Sequence, residues 1–134
     1  MDDTTMRSRL AEARVARLGT VGVDRRPHLV PCCFALDRDI AYSAVDGKPK
    51  STRALQRLTN IRTNPPTTLL VDHYDENWES LWWVRIDANG RVLDGGSEFD
   101  NALDLLRLKY EQYQHAAPEG PVVALDIVSW HSWP

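Results

Sequence analysis

Five cations and no acid occupy residues 47–71, "GKPKSTRALQRLTNIRTNPPTTLLV": Lys48, Lys50, Arg53, Arg57 and Arg62 fall between Asp46 and Asp72. The whole chain carries 16 Lys+Arg against 19 Asp+Glu, so the rest of it is strongly acidic and the positive charge is local. A local cluster suits a small anion better than a long polyanion. Its spacing adds to this. A helix that starts with Ser51 or Thr52 as N-cap places Arg53 and Arg57 four residues apart on one face, flanking an apolar stripe of Ala54, Leu55, Leu58 and Ile61. Lys48 and Lys50 precede that helix, where the free N–H groups of a first turn face anions. Backbone donors, a hydroxyl and several cations then converge, each charge-assisted hydrogen bond being worth about 1.5–3 kcal/mol. Any one of these cations read alone is equally a solvated side chain balancing the acidic surface. The cluster is what points to a phosphate or carboxylate.

Other chemistry finds less support. The phosphate-loop pattern fails because position 42 is Tyr and Gly47-Lys48 is followed by Pro49, and no G-x-G-x-x-G occurs. His28, His73, His115 and His131 show no H-e-x-x-H spacing, the only cysteines are the adjacent Cys32 and Cys33, and "DHYDEN" lacks the glycine of a calcium loop. No metal is therefore expected. Neighbouring strand residues point to opposite faces, so Cys32 and Cys33 are expected as free thiols of a reducing compartment. With no nucleophile motif present, an enzyme here would rely on a bound cofactor, and no catalytic side chain is named. Aromatics are the second signal: Trp78, Trp82 and Trp83 crowd into "DHYDENWESLWWVRI". On a strand Trp82 and Trp83 face opposite ways, one into the core and the other towards a cleft or a partner subunit, where it could flank a planar ring. Two ordinary packing tryptophans fit the same residues.

Elements that would position these residues follow from periodicity. "RSRLAEARVARL", residues 7–18, puts Leu10, Ala11, Val15 and Leu18 on one helical face. "GTVGV", "HLVPCCFAL" and "IAYSAV", separated by "DRRP" and "DRD", read as a three-stranded antiparallel meander. The helix over about 51–63 ends at Pro65-Pro66. "TTLLVDHY" reads as a buried strand, "SLWWVRIDANGRVL" as a hairpin turning at Asn89-Gly90, residues 97–113 as a helix with Phe99, Leu103, Leu106 and Tyr110 in line, and "PVVALDIVSW" as a last strand. The result is a mainly β fold, a small β-barrel with helices inserted between hairpins, in a single domain spanning residues 1–134. A chain of 134 residues buries about 68% of its unfolded surface, enough for a core without staples. Net charge −3 with pI near 5.8 argues against nucleic acid as partner. "MDDTTMRSRL" has acids and no apolar stretch, and no run of about 18 apolar residues occurs, so neither a signal peptide nor a membrane partner is expected and the protein is read as cytoplasmic.

The order "RLGTVGVDRRPHLVPCCFAL", "IAYSAVDGKPKSTRALQRLTNIRTNPPTTLLVD" resembles the split β-barrel, FMN-binding-like superfamily of pyridoxamine 5′-phosphate oxidase-like proteins. "KPKSTRALQRLTNI" followed by "DHYDENWESLWWVRI" is most similar to its actinobacterial branch of deazaflavin (coenzyme F-420)-dependent oxidoreductases. The resemblance implies a homodimer with cofactor at the subunit interface. It places the ring along Val30, Pro31 and Cys32, and its phosphate near Arg57 with Lys48, Lys50, Ser51, Thr52 and Arg53 as neighbours; the aromatic cluster adds Trp78 and Trp82 as candidates to flank the cofactor. The resemblance also implies hydride transfer from reduced coenzyme F-420 to a small unsaturated or quinone-like acceptor. The alternatives are an FMN-binding oxidase or reductase of the same fold, and a non-catalytic carrier of flavin, deazaflavin or haem. The strand "HLVPCCFAL" carries no basic residue after His28 and no Arg follows Tyr113, which departs from the pyridoxamine oxidases themselves.

Overall fold

The computed structural model describes residues 1–45 and 52–134, the side chains of residues 52–55 excepted. Its elements are α1 (Asp3–Glu12), β1 (Ala16–Val21), β2 (Pro27–Cys32), β3 (Ala35–Asp37), β4 (Ile40–Ala44), α2 (Thr52–Thr63), β5 (Pro66–His73), a 3-10 turn (Trp78–Ser80), β6 (Trp82–Leu93), α3 (Ser97–Lys109), α4 (Glu111–His115) and β7 (Val122–Trp133). All strands pair antiparallel in one seven-stranded sheet of order β2-β1-β5-β6-β7-β4-β3. The edges β2 and β3 are joined only by Cys33-Phe34. A two-residue link reaches no more than about 10 Å, so the sheet must curl until its edges nearly meet. The mainly β architecture with inserted helices is as the sequence implied.

Alternation along each strand explains the curl. In β1 Ala16, Leu18 and Thr20 are buried, and in β5 Thr67, Leu69 and Val71, so one face of the sheet forms the interior. Leu10 of α1 and Leu58 and Ile61 of α2 pack into the same core. A second core on the other side of β4 and β7 joins Tyr42, Ala44, Val122 and Ala124 to Ala102, Leu106 and Tyr110.

Four expectations change. The first helix begins and ends earlier: Asp2 caps it, accepting from Thr5 N–H at 2.8 Å, and beyond Glu12 the chain is needed for β1, where alternation rather than helical spacing buries Ala16 and Leu18. "HLVPCCFAL" is two strands at opposite sheet edges, so there is no three-stranded meander. Asn89-Gly90 is not a turn; both lie within β6, paired to Asp126 and Leu125. Its glycine serves packing: a Cβ there would come 2.8 Å from Ile61 Cγ2 of α2. The helix over 97–113 breaks at Tyr110, which is extended (φ −115°, ψ 114°). Its hydroxyl accepts from Phe34 N–H at 3.1 Å and reaches the Arg14 carbonyl at 2.9 Å, fixing the helix end to the β2–β3 bend.

Candidate cofactor site

Strand alternation turns Val30 and Cys32 of β2 towards the interior and leaves Pro31 exposed on the outer side. Cys32, the last residue of β2, is buried, Cys33 in the bend after it is half-buried, and both thiols are free. Beside them Ser43 Oγ of β4 donates to the Cys33 carbonyl at 2.7 Å, tying the β2–β3 bend to β4. Arg57 enters from α2. That helix is seated by Leu58 and Ile61 in the core and by a buried polar chain in which Gln56 donates to Asn60 (2.8 Å) and Asn60 to Thr20 (3.1 Å).

Arg57 and Cys32, two of the expected residues, interact electrostatically. The guanidinium is within electrostatic reach of the Cys32 thiol; burial pushes that thiol up, and Ser43 and Arg57 oppose the rise. Arg57 Nε is buried without a hydrogen-bond partner among the described residues. A buried charged donor with no acceptor is costly unless an oxyanion meets it, which makes Arg57 fit a cofactor phosphate. Of the other expected residues, Lys48, Lys50 and Ser51 lie outside the described residues, and Thr52 and Arg53 are placed only as the first turn of α2.

The tryptophans divide between the core margin, the 3-10 turn and the outer face. Trp82 packs against the core with Arg9 over its ring at 4.7 Å and His73 stacked at 6.0 Å. Trp78 is 69% exposed on the 3-10 turn. Trp83 points away from Trp82, with Arg85 beside it and Trp133 opposite it on β7.

Lys109 is a buried cation that the sequence reading missed. It ends α3, and its Nζ stands 3.9 Å over the Phe34 ring, buried and without a hydrogen-bond partner among the described residues. Burial holds its ammonium down to about 8, with Arg14 adding repulsion and the two cysteines opposing it. No local signal marks it, since Phe34 lies far away in sequence.

A Ser-His-Asp cluster that the sequence did not suggest sits on the outer sheet face, and its geometry is wrong for nucleophilic catalysis. His131 Nε2 is 3.1 Å from Ser129 Oγ and 3.2 Å from Asp87 Oδ2, so one ring nitrogen serves both partners, whereas a relay needs the two nitrogens to serve different ones. Among the described residues no group of three or more His, Cys, Asp or Glu could hold a metal ion. No described helix is long and apolar enough to cross a membrane.

The pattern of the pyridoxamine 5′-phosphate oxidase family matches residues 3–134, nearly the whole chain. The chain belongs to the pyridoxamine 5′-phosphate oxidase family. Solved structures agree with that family's fold. The conserved hypothetical protein Rv2991 from Mycobacterium tuberculosis superposes with TM-score 0.80 at 17% identity, over 99% of this chain and 84% of its own. A FAD binding protein from Mycobacterium smegmatis gives TM-score 0.66 at 14% identity, covering 99% and 96%. The haem storage protein HutZ from Vibrio cholerae gives 0.69 at 12% identity, covering 98% and 92%. No curated protein sequence matches this member of the pyridoxamine 5′-phosphate oxidase family significantly.

Proposed function

We propose that this protein is a deazaflavin (coenzyme F-420)-dependent oxidoreductase, passing a hydride from the reduced cofactor to a small unsaturated or quinone-like acceptor. The observation that carries the reading is the buried Arg57 Nε, without a partner among the described residues and within electrostatic reach of Cys32. It matches the phosphate position that the family resemblance gives to the basic helix, and Arg57 would hold that group. The bound deazaflavin would supply the hydride chemistry. The chain's own task is to orient ring and acceptor about 3–3.5 Å apart and to exclude water. Val30 and Cys32 offer the apolar wall for this, and no described side chain is required as acid or base.

A homodimer completes the reading. The outer sheet face leaves Leu29 72%, Val128 65% and Trp133 48% exposed, with a groove between β2 and β7 lined by Gly19, Leu29, Thr68 and Val128. A second copy seated there would cover this apolar surface.

The test is titration with coenzyme F-420, FMN and haem in parallel, read by quenching of tryptophan fluorescence and repeated with Arg57→Ala. Deazaflavin binding weakened at least tenfold in the variant, about 1.4 kcal/mol, followed by turnover of an acceptor, is the expected result. FMN binding alone would transfer the protein to the oxidase alternative. Haem binding alone, or cofactor binding without turnover across a broad acceptor panel, would make it a carrier.

A further inference from the structure

We propose that Lys109 and Arg14 form an oxyanion seat at the Cys33-Phe34 bend, which takes one phosphate or carboxylate group of the ligand held beside Arg57. This rests on the cofactor site proposed above and extends it to two residues from other elements.

Arg14, between α1 and β1, places its guanidinium 4.7 Å over the Tyr110 ring and donates from a terminal nitrogen to the Lys109 carbonyl at 2.9 Å. The Lys109 ammonium lies over Phe34 at 3.9 Å and Tyr110 at 5.3 Å. Two cations are thus fixed side by side on an aromatic floor. The charged and titratable groups that act on Lys109 are Arg14, Cys32 and Cys33, with no carboxylate among them. Neither Lys109 nor Arg14 forms an ion pair among the described residues. Buried ammonium groups are rarely left so, because the lost hydration is recovered only through an acceptor. Cys32 links the seat to the cofactor site, since both Lys109 and Arg57 act on its thiol. Arg14 and Tyr110 also line a surface cavity together with Glu111, Gln112 and His115. Burial has already weakened the lysine's hold on its proton, so an arriving oxyanion would restore its full charge.

The experiment is ¹³C NMR of the full chain with its lysines dimethylated, titrated over pH with and without saturating inorganic pyrophosphate. The Lys109 midpoint should rise by about one pH unit or more on adding pyrophosphate. Lys109→Met should lose at least tenfold in pyrophosphate affinity while Lys109→Arg keeps it. An unmoved Lys109 midpoint, or a Met variant that binds as wild type does, overturns the seat and leaves a packing lysine on Phe34. Should the Met variant fail to fold, the wild-type midpoint decides alone. FMN and riboflavin then distinguish the source: weakening of FMN but not riboflavin by Lys109→Met assigns the cofactor's phosphate, and equal FMN affinity with lost pyrophosphate binding assigns an acidic substrate. If coenzyme F-420 and FMN both fail to bind while pyrophosphate still shifts Lys109, the proposed function falls and the seat stands.

Discussion

Gly90 of β6 and Ile61 of α2 meet so closely that a Cβ on the glycine would lie 2.8 Å from Ile61 Cγ2 and 3.3 Å from Thr67 Cγ2. The contact seats α2, the helix that carries Arg57, close against β6. Gly90→Ala should destabilise the protein by about 1–3 kcal/mol through overpacking. Urea denaturation of the single variants and of Gly90→Ala with Ile61→Ala checks it. Removing the Ile61 methyls should relieve the clash, so the double variant should lose less than the sum of the two single losses.

Tyr110→Phe tests the anchor at the β2–β3 bend. The hydroxyl accepts from Phe34 N–H and reaches the Arg14 carbonyl, so its removal leaves a buried donor unsatisfied. A loss of about 1–3 kcal/mol is expected, measured as a shift of the urea midpoint with unchanged slope. A variant as stable as wild type would show that water replaces the hydroxyl.

Acid stability should depend on Glu98. It receives two Arg91 hydrogen bonds at 2.9 Å, while Tyr42 donates to it at 2.8 Å and Arg91 also grips Asp126 at 2.6 Å. Arg91, and then Tyr42, hold the carboxyl down to about 2 from an ordinary 4.5. The unfolded chain therefore binds the extra proton first, and stability contributed above pH 4.5 is lost as pH falls from 4.5 towards 2. Thermal unfolding across that range should show a steep acid limb in wild type and a flatter one in Glu98→Gln.

Leu10 is the one residue of α1 that is fully buried, and it closes the core from that side. Leu10→Ala should cost about 2–5 kcal/mol. Cofactor affinity in the surviving folded protein should be unchanged, because Arg57 is held from α2; equilibrium dialysis at low temperature measures this.

The strands were legible where burial alternates, and α2 was legible through its apolar stripe and the double proline behind it. Asn89-Gly90 misled because a two-residue turn signal is local, whereas the need for a glycine there comes from Ile61 in another element. Leu10, Val15 and Leu18 misled because a helix and the strand after it can together imitate one helical face. Arg57 and Cys32 were readable as candidates because each lies in a patterned segment. Lys109 was hidden, since its burial is made by Phe34 and Tyr110 across the β2–β3 bend, and no spacing within α3 reports on that.

The sheet order also fixes when the fold can be completed. Strand β4 pairs only with β3 and β7, and the register Ile40↔Asp126 joins residues from opposite ends of the chain. As the chain leaves the ribosome, β1, β2, β5 and β6 can assemble once residue 93 has emerged, while the β3–β4 hairpin waits for β7 with one edge unpaired. Loss of the last strand would therefore do more than shorten the sheet: it would strip β4 of its link to β6 and leave the β3–β4 hairpin held by α1, α3 and the Ser43–Cys33 hydrogen bond.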